Sequence, residues 1–322
     1  MISVIIPTFN RKNDLERCIA SILKQDYKDF EIIVVDNGPS TDGTKVLMGT
    51  LVKRYPNITY LRTTQKGCIF SRNLGARKSR GELLLTMDDD VELLTPDTFD
   101  LLIETFAEQD IGVVGAIELR NPEKEIKPLP HINNVGRITK YGHFDTRFGN
   151  LIGRPITDVD HVRSAFMAFR KSLFEEVNGF NEIYNAKGMG FRYETDFCLR
   201  IKKKRYRVVV NPKLRVWHKA SPRPRGFERG RGRDFFYYTS RNHTFFMLTH
   251  FWQRKKIRYL LFDFLIGTTR NPGIIRFTLK ALKELSLVEM LFLPCLILGK
   301  LAGIKMFYTE SNQKMSEGKN GP

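Results

Sequence analysis

Three consecutive carboxylates, Asp88-Asp89-Asp90, directly follow the apolar run Glu82 to Met87 (ELLLTM). Carboxylates repel one another, so such a triplet is costly unless a cation or hydrogen-bond donors neutralise it. Alternate residues can converge on one ligand. A hard divalent ion, magnesium or manganese, suits carboxylate and phosphate oxygens together. The competing reading is a solvated acidic turn ahead of a helix; the apolar strand before the triplet favours a binding edge. Asp36 closes a second apolar run, FEIIVV. It can accept from a base or a ribose, or cap the turn at Asn37-Gly38. Thr8, Asn10 and Arg11 follow the first apolar run, and Arg72-Asn73 stand near the start of a helical segment. Helix N-termini and arginine together make phosphate sites, although a lone arginine is usually a solvated one. Glu194 and Asp196 lie two apart at another helix start, where both suit the helix dipole and Glu194 can serve as a general base. His218, after Val216-Trp217, can join a metal site or be structural.

These residues need elements to bring them together. Ile2 to Pro7 is a β-branched run of strand length, with no basic stretch ahead of it, and reads as a buried parallel strand rather than a secretory leader. Asn13 or Asp14 can cap a helix whose apolar residues are Leu15, Ile19, Ile22 and Leu23. Strands are expected over Phe30–Val35, Ile58–Arg62 and Glu82–Met87, with helices over Thr44–Tyr55 and Ser71–Ser79 between them. This alternation predicts an α/β fold: a mostly parallel sheet flanked by helices. Ligands then bind at the carboxyl ends of the strands, where Asp36 and Asp88–Asp90 fall.

Further along, residues 121–160 read as a long loop or as strands added to the sheet. A strand is expected over Phe166–Arg170 and helices over Lys171–Val177 and Tyr193–Lys204. Two short strands follow, Tyr206–Val210 and one ending at His218. The Pro/Gly/Arg segment 222–233 reads as a flexible loop. From Phe235 two apolar stretches, Tyr259–Gly267 and Leu287–Phe307, read as packed or interfacial helices. Glu289, Pro294 and Lys300 interrupt the second, against the ~20 mostly uncharged residues a span needs. The domain reading is therefore residues 1–234, with halves 1–120 and 121–234, then a helical membrane-associating region 235–308 and a disordered tail 309–322.

Composition narrows the classes. The chain has 322 residues, and 53 Lys+Arg against 35 Asp+Glu leave a net charge of +18, which attracts polyanions or an anionic membrane. Four scattered cysteines without a C-x-x-C pair exclude a disulfide scaffold and a cysteine-built zinc site. No RNP-like aromatic motif, zinc finger or reading helix supports a nucleic-acid binder, the runner-up for so basic a chain. No dinucleotide G-x-G-x-x-G and no GxxxxGK[ST] loop is present.

Taken together, SVIIPTFNR, VVDN and SRNLGARKSRGELLLTMDDDVEL resemble glycosyltransferase family 2, with its GT-A nucleotide-sugar fold. FMAFRKSLFEEVNGFNEIYNAKGMGFRYETDFCLRIKKKRYRVVVNPKLRVWH extends the likeness, and Tyr237-Tyr238 with Arg241-Asn242 are similar to a Y-Y-x-x-R-N element of polysaccharide-building members. The resemblance covers residues 1 to about 250 and implies roles. Asp36 would contact the nucleotide base. Pro7, Thr8, Asn10 and Arg11 would lie near the nucleoside and Arg72 near the phosphates. Asp88 to Asp90 would be the DXD motif: Asp88 facing ribose or sugar, Asp89 within the donor site, Asp90 on the metal. His218 would lie near the metal or diphosphate. Glu194 would be the catalytic base, and Asp196 and Arg241 would serve the acceptor or a loop.

The implied activity is metal-assisted, inverting transfer from a nucleotide-diphosphate sugar to a glycan or lipid-linked acceptor at the cytoplasmic face of a membrane. An inactive sugar-nucleotide binder is the alternative within the family. Three departures stand out: Tyr193-Glu194 replaces Glu-Asp, Phe166 replaces a polar residue of G-x-N-M, and Asn181 replaces an acid.

Overall fold

The computed structural model describes residues 1–38, 40–123, 134–187, 189–222, 232–252, 256–284 and 290–317. The chain forms two compact units, one of residues 1–137 with 145–228, the other of residues 138–144 with 229–322.

In the first unit, strands β1 (Ile2–Thr8), β2 (Phe30–Asp36), β3 (Ile58–Arg62) and β4 (Leu83–Met87) alternate with helices α1 (Lys12–Leu23), α2 (Thr44–Arg54) and α3 (Cys68–Lys78). All four strands run parallel, in the order β3-β2-β1-β4. β1 and β2 are buried along their whole length, as β-branched runs covered on both faces should be. α1 buries Leu15, Cys18, Ile19 and Ile22, the expected stripe. Its cap position is Arg11 rather than Asn13 or Asp14, and the Asp42 carboxylate accepts from the Lys12 N–H at 2.7 Å. Gly75 lets α3 lie against β1: a Cβ there would stand 2.5 Å from Ile5.

The sheet then turns mixed. β5 (Val91–Leu93), α4 (Thr98–Phe106), β6 (Ile111–Leu119), β7 (Thr157–Asp158) and β8 (Phe166–Arg170) follow, and β8 runs antiparallel between β4 and β6. After α5 (Lys171–Glu176), a two-residue-per-strand hairpin β9 (Asn185–Ala186) and β10 (Met189–Gly190), and α6 (Tyr193–Lys203), a single strand β11 (Arg207–His218) replaces the two short ones expected. A register irregularity between Val210 and Arg215 holds Pro212, which has no N–H to give to a ladder. Residues 157–158 add to the sheet through β11, so part of the 121–160 segment is strand; residues 124–133 lie outside the described ones. α6 is fixed by aromatic packing. Phe169, Phe174, Phe180 and Phe197 meet at 4.7–6.3 Å, Phe169 and Phe174 stacked and the other pairs edge-on or tilted, and Tyr193 meets Phe180 at 5.6 Å. Such ring pairs add ~0.5–1.5 kcal/mol each beyond their burial.

The second unit holds α7 (Arg233–His250), α8 (Lys256–Leu265), α9 (Ile274–Lys283) and α10 (Leu293–Glu317), with the segment 138–144 on α7 and α8 through Tyr141–Phe262 and Phe144–Phe246 contacts. Gly299 and Gly303 bring α10 against α7: Cβ atoms there would lie 2.2 Å from the Tyr237 carbonyl and 2.5 Å from that of Arg241. Helix α10 runs on to Glu317, so residues 309–317 are helical rather than the expected disordered tail; good helix formers such as Lys305, Met306, Gln313 and Lys314 carry the helix on. No helix among the described residues is long and apolar enough to cross a membrane. The expected loop 222–233 lies outside the described residues over 223–231, and α7 begins at Arg233.

A candidate donor and metal site at the sheet edge

Register brings the predicted residues together in the first unit. Thr8 ends β1 opposite Asp36 at the end of β2, and Asp88 follows β4, the neighbour of β1 on the other side. Three parallel strands thus deliver Thr8, Asp36 and Asp88 to one rim. β5 pairs antiparallel with β11, His218 opposite Val91, which sets His218 beside Asp90.

The triplet splits by side. Ligand atoms of Asp88, Asp90 and His218 lie within 4.8 Å of one another. The His218 Nε2 stands 3.6 Å from the Asp90 Oδ1, a buried oxygen that accepts no hydrogen bond. Two carboxylates and an imidazole whose ligand atoms converge, one of them this unsatisfied buried oxygen, fit a divalent cation. Asp89 points inward instead. Its Oδ2 accepts from the Thr8 hydroxyl at 2.9 Å and its Oδ1 from Arg11 at 2.6 Å. Burial pushes the Asp89 carboxyl up to about 7 and the charge on Asp90 adds to that, with Arg11 and Thr8 opposing.

Arg11 is the hub on this side. Its guanidinium also donates to the Asp90 Oδ2 at 3.1 Å and to the Ser221 carbonyl at 2.6 Å, while the Ser221 N–H donates to the same Asp90 oxygen at 2.9 Å. The chain just after His218 is therefore tied to the acidic cluster. Asn10, at φ +49, accepts from the Thr41 N–H through its side chain and shapes the turn after β1. Pro7 sits within β1, opposite Val35.

Arg72, 1% exposed, donates to the Asp88 Oδ1 and, at 3.2 Å, to the Ser164 carbonyl. Burial would lower its pKa, but Asp88 and its other neighbours raise it, so it stays charged. The same guanidinium lies 5.7 Å from the Tyr193 ring centroid. Glu194 is the next residue, so Arg72 links Asp88 to the helix turn that carries the predicted base. Asp196 goes to a different task. It is buried, accepts from Arg200 at 2.8 Å, and Arg200 in turn holds the Val177 and Gly179 carbonyls. Arg241 belongs to the second unit, on α7, bonded to the Asn242 side chain and 4.9 Å from the Tyr238 ring centroid. Asn181, one of the departures, caps a short helical turn by accepting from the Ile183 N–H.

Sequence reasoning missed two supports. Glu118, near the end of β6, has a side chain only 6% exposed, and its Oε2 lies 2.9 Å from the His218 Nδ1. Arg163 donates to the same oxygen at 3.2 Å. β6 and β11 align Glu118 with Val216, and His218 is the next residue on that face. Burial works against a charged His218, but the Glu118 carboxylate outweighs it and raises the imidazole's pKa. With the Nδ1 committed to Glu118, the Nε2 faces Asp90. A carboxylate behind a metal-binding histidine fixes the ring and its tautomer, and losing it costs ~10–100-fold in metal affinity. Glu118→Ala should therefore weaken manganese binding by about 10–100-fold, read as free ion by electron paramagnetic resonance; unchanged affinity would leave Glu118 a packing residue. The second support is Tyr60, whose hydroxyl donates to the Asp36 Oδ2 at 2.7 Å while Ser40 donates to the Oδ1 at 2.7 Å. Asp36 is thus aimed from both sides. An acid inside an apolar strand, as in IGVVGAIEL, and a tyrosine on the neighbouring strand were the signals available.

Residues 3–177 match the family model described as Glycosyl transferase family 2, a stretch that holds Thr8, Arg11, Asp36, Arg72 and Asp88 to Asp90. The chain belongs to glycosyl transferase family 2. Among its relatives is the GalNAc(5)-diNAcBac-PP-undecaprenol beta-1,3-glucosyltransferase of Campylobacter jejuni, 43% identical over 96 residues, 29% of this chain and 31% of that protein. The chain spans less than a third of the length of the first curated relatives it matches. Two solved structures share the fold. The mannosyltransferase PcManGT from Pyrobaculum calidifontis, in complex with GDP-Man and Mn2+, aligns at TM-score 0.54 and 20% identity over 98% of this chain and 80% of that one. S. aureus TarS 1-349 in complex with UDP-GlcNAc aligns at TM-score 0.59 and 16% identity over 92% and 79%. The family-2 chain thus has the GT-A fold expected of it, a mostly parallel mixed sheet flanked by helices.

Proposed function

We propose that this chain transfers a sugar, with inversion, from a nucleotide-diphosphate donor to an acceptor hydroxyl, in the assembly of a cell-surface polysaccharide, glycolipid or glycoprotein glycan. The observation that carries the reading is the convergence of the ligand atoms of Asp88, Asp90 and His218, one of them an unsatisfied buried oxygen, at the carboxyl edge that also presents Thr8 and Asp36. Asp88, Asp90 and His218 would hold a divalent ion, manganese or magnesium. When bound, that ion offsets charge on the departing diphosphate.

The protein's own groups do the rest. Asp36, aimed by Tyr60 and Ser40, orients the base of the donor. Arg11 and Arg72 hold the carboxylates apart and in place. Glu194, as its carboxylate, takes the proton from the acceptor hydroxyl. The acceptor oxygen bonds to the anomeric carbon on the face opposite the diphosphate, which leaves with the bonding electron pair. One displacement inverts the configuration. The acceptor proposed is a lipid-linked sugar at an anionic membrane surface; the Campylobacter relative is itself named a GalNAc(5)-diNAcBac-PP-undecaprenol beta-1,3-glucosyltransferase.

The test is thermal unfolding with UDP, GDP, dTDP and CDP, each with and without manganese. A ligand at a hundredfold excess over its dissociation constant stabilises by ~2.7 kcal/mol. One nucleotide should raise the unfolding temperature only with manganese. A folded sample indifferent to all four would overturn the proposal.

A further inference from the structure

Helix α8 is turned inside out, and α9 exposes a second apolar row beside its buried one. On α8 the inward row is Tyr259 and Asp263, both buried, while the outward row is Ile257 (75% exposed), Leu261 (58%) and Leu265. The two rows are offset by two residues, about 200° around a helix. On α9 Phe277 and Ala281 face inward, and Ile275, Leu279 (62%) and Leu282 face out. Among the described residues, eleven of the seventeen exposed large apolar side chains fall between Ile257 and Tyr308. A soluble helix puts its leucines in and its aspartate out; on α8 the order is reversed.

The reversal is held from within. Asp263 pairs with Lys300 of α10 at 2.5 Å and accepts from Thr244 of α7 at 2.7 Å and from Asn271 at 3.2 Å. Asn271 belongs to the tight connection between α8 and α9, where the Thr268 N–H donates to the Asn271 carbonyl and the Gly273 N–H to the Ile266 carbonyl. The hairpin cannot roll its leucines inward without breaking this buried network.

Basic residues flank the outward rows. Arg258 follows Ile257, Arg276 follows Ile275, Lys280 follows Leu279 and Lys283 follows Leu282, and all four are exposed. Residues 256–284 carry six Lys and Arg against two acids, one of them the buried Asp263. Apolar stripes bordered by cations are what an anionic bilayer surface accepts: leucines enter the acyl boundary and the cations meet the headgroups.

We infer that the α8–α9 hairpin is a membrane-docking face that lies in the plane of an anionic bilayer, with Ile257, Leu261, Ile275 and Leu279 inserted. This deepens the membrane part of the proposed function, but its test does not use turnover. The full chain is sedimented with phosphatidylcholine vesicles, and with vesicles containing about a third phosphatidylglycerol, the anionic surface the argument requires. Binding should favour the anionic vesicles and weaken at ~1 M salt, where the screening length is ~3 Å. L261E/L279E should lose at least about tenfold in binding, since each leucine forfeits the burial of its side chain. R276E/K280E/K283E should lose at least about tenfold as well, each basic residue being worth about fivefold near such a surface. Circular dichroism and the manganese-dependent nucleotide response show whether the variants remain folded. Absence of binding by the parent chain, or binding undiminished in L261E/L279E, overturns the inference. So does light scattering that finds a dimer dissolved by L261E/L279E, since a second copy would then cover the face.

Discussion

Glu194→Gln is expected to reduce transfer by about 10²- to 10⁴-fold while donor and manganese binding stay within about twofold. Glutamine keeps the size and the hydrogen-bond acceptor of glutamate but cannot take the acceptor's proton. The loss corresponds to ~3–5 kcal/mol of transition-state stabilisation. The residue sits in the first turn of α6, next to Tyr193, whose ring packs on Phe180 and lies by the Arg72 guanidinium. That packing is untouched by the substitution, so the fold and the donor site should persist. Glu194→Asp shortens the reach by one methylene and should retain a measurable fraction of activity. Turnover unchanged in Glu194→Gln would remove Glu194 from the base role, and a collapse of nucleotide binding would make it a donor-site residue instead.

The second large effect belongs to the helical unit. Lys300→Ala should destabilise it by about 3–5 kcal/mol, because it leaves the Asp263 carboxylate buried without its cation. Both residues are fully buried and 2.5 Å apart. Burial pulls the Lys300 ammonium below its ordinary pKa and Asp263 works against that, as expected of a pair that persists only together. Hydrogen exchange over α7 to α10 should speed up in Lys300→Ala and return toward the parent rate in Lys300→Met/Asp263→Leu, where no charge remains. Exchange unaltered in the single variant would show that Thr244 and Asn271 suffice to hold Asp263.

Much of the candidate site's rim is legible in the sequence because parallel strands write themselves as uninterrupted apolar runs. SVIIP, FEIIVV and ELLLTM are each followed by the residue that the fold delivers to the rim, Thr8, Asp36 and Asp88, and a carboxylate just past such a run has few structural uses. The reading stops where pairing between distant strands decides. FMAFR gives no sign that it will lie antiparallel between β4 and β6, since a strand buried on both sides looks the same in either direction. Glu118 reaches His218 only because β6 and β11 align it with Val216, a register that no local pattern encodes. Asp89 reads in the sequence as one of three like acids; in the turn after β4 its carboxylate is the one held by Thr8 and Arg11, a difference that no local pattern encodes. Asp196 reads in the sequence as an acceptor-side or loop acid, and the arginine four residues on, invisible as a partner until the helix forms, holds its carboxylate. The helical unit was the least legible part. An apolar run containing one aspartate reads as a helix with that aspartate outward; only the buried lysine of a distant segment reverses it.

The most direct test of the central claim is the nucleotide panel run on the parent chain beside Asp90→Asn. The account predicts that manganese and one nucleoside diphosphate together raise the unfolding temperature of the parent, and that this rise disappears in Asp90→Asn while its unfolding without ligand stays close to the parent's. An equal, manganese-dependent rise in both proteins would contradict the assignment of Asp88, Asp90 and His218 as the place where the donor's diphosphate is held.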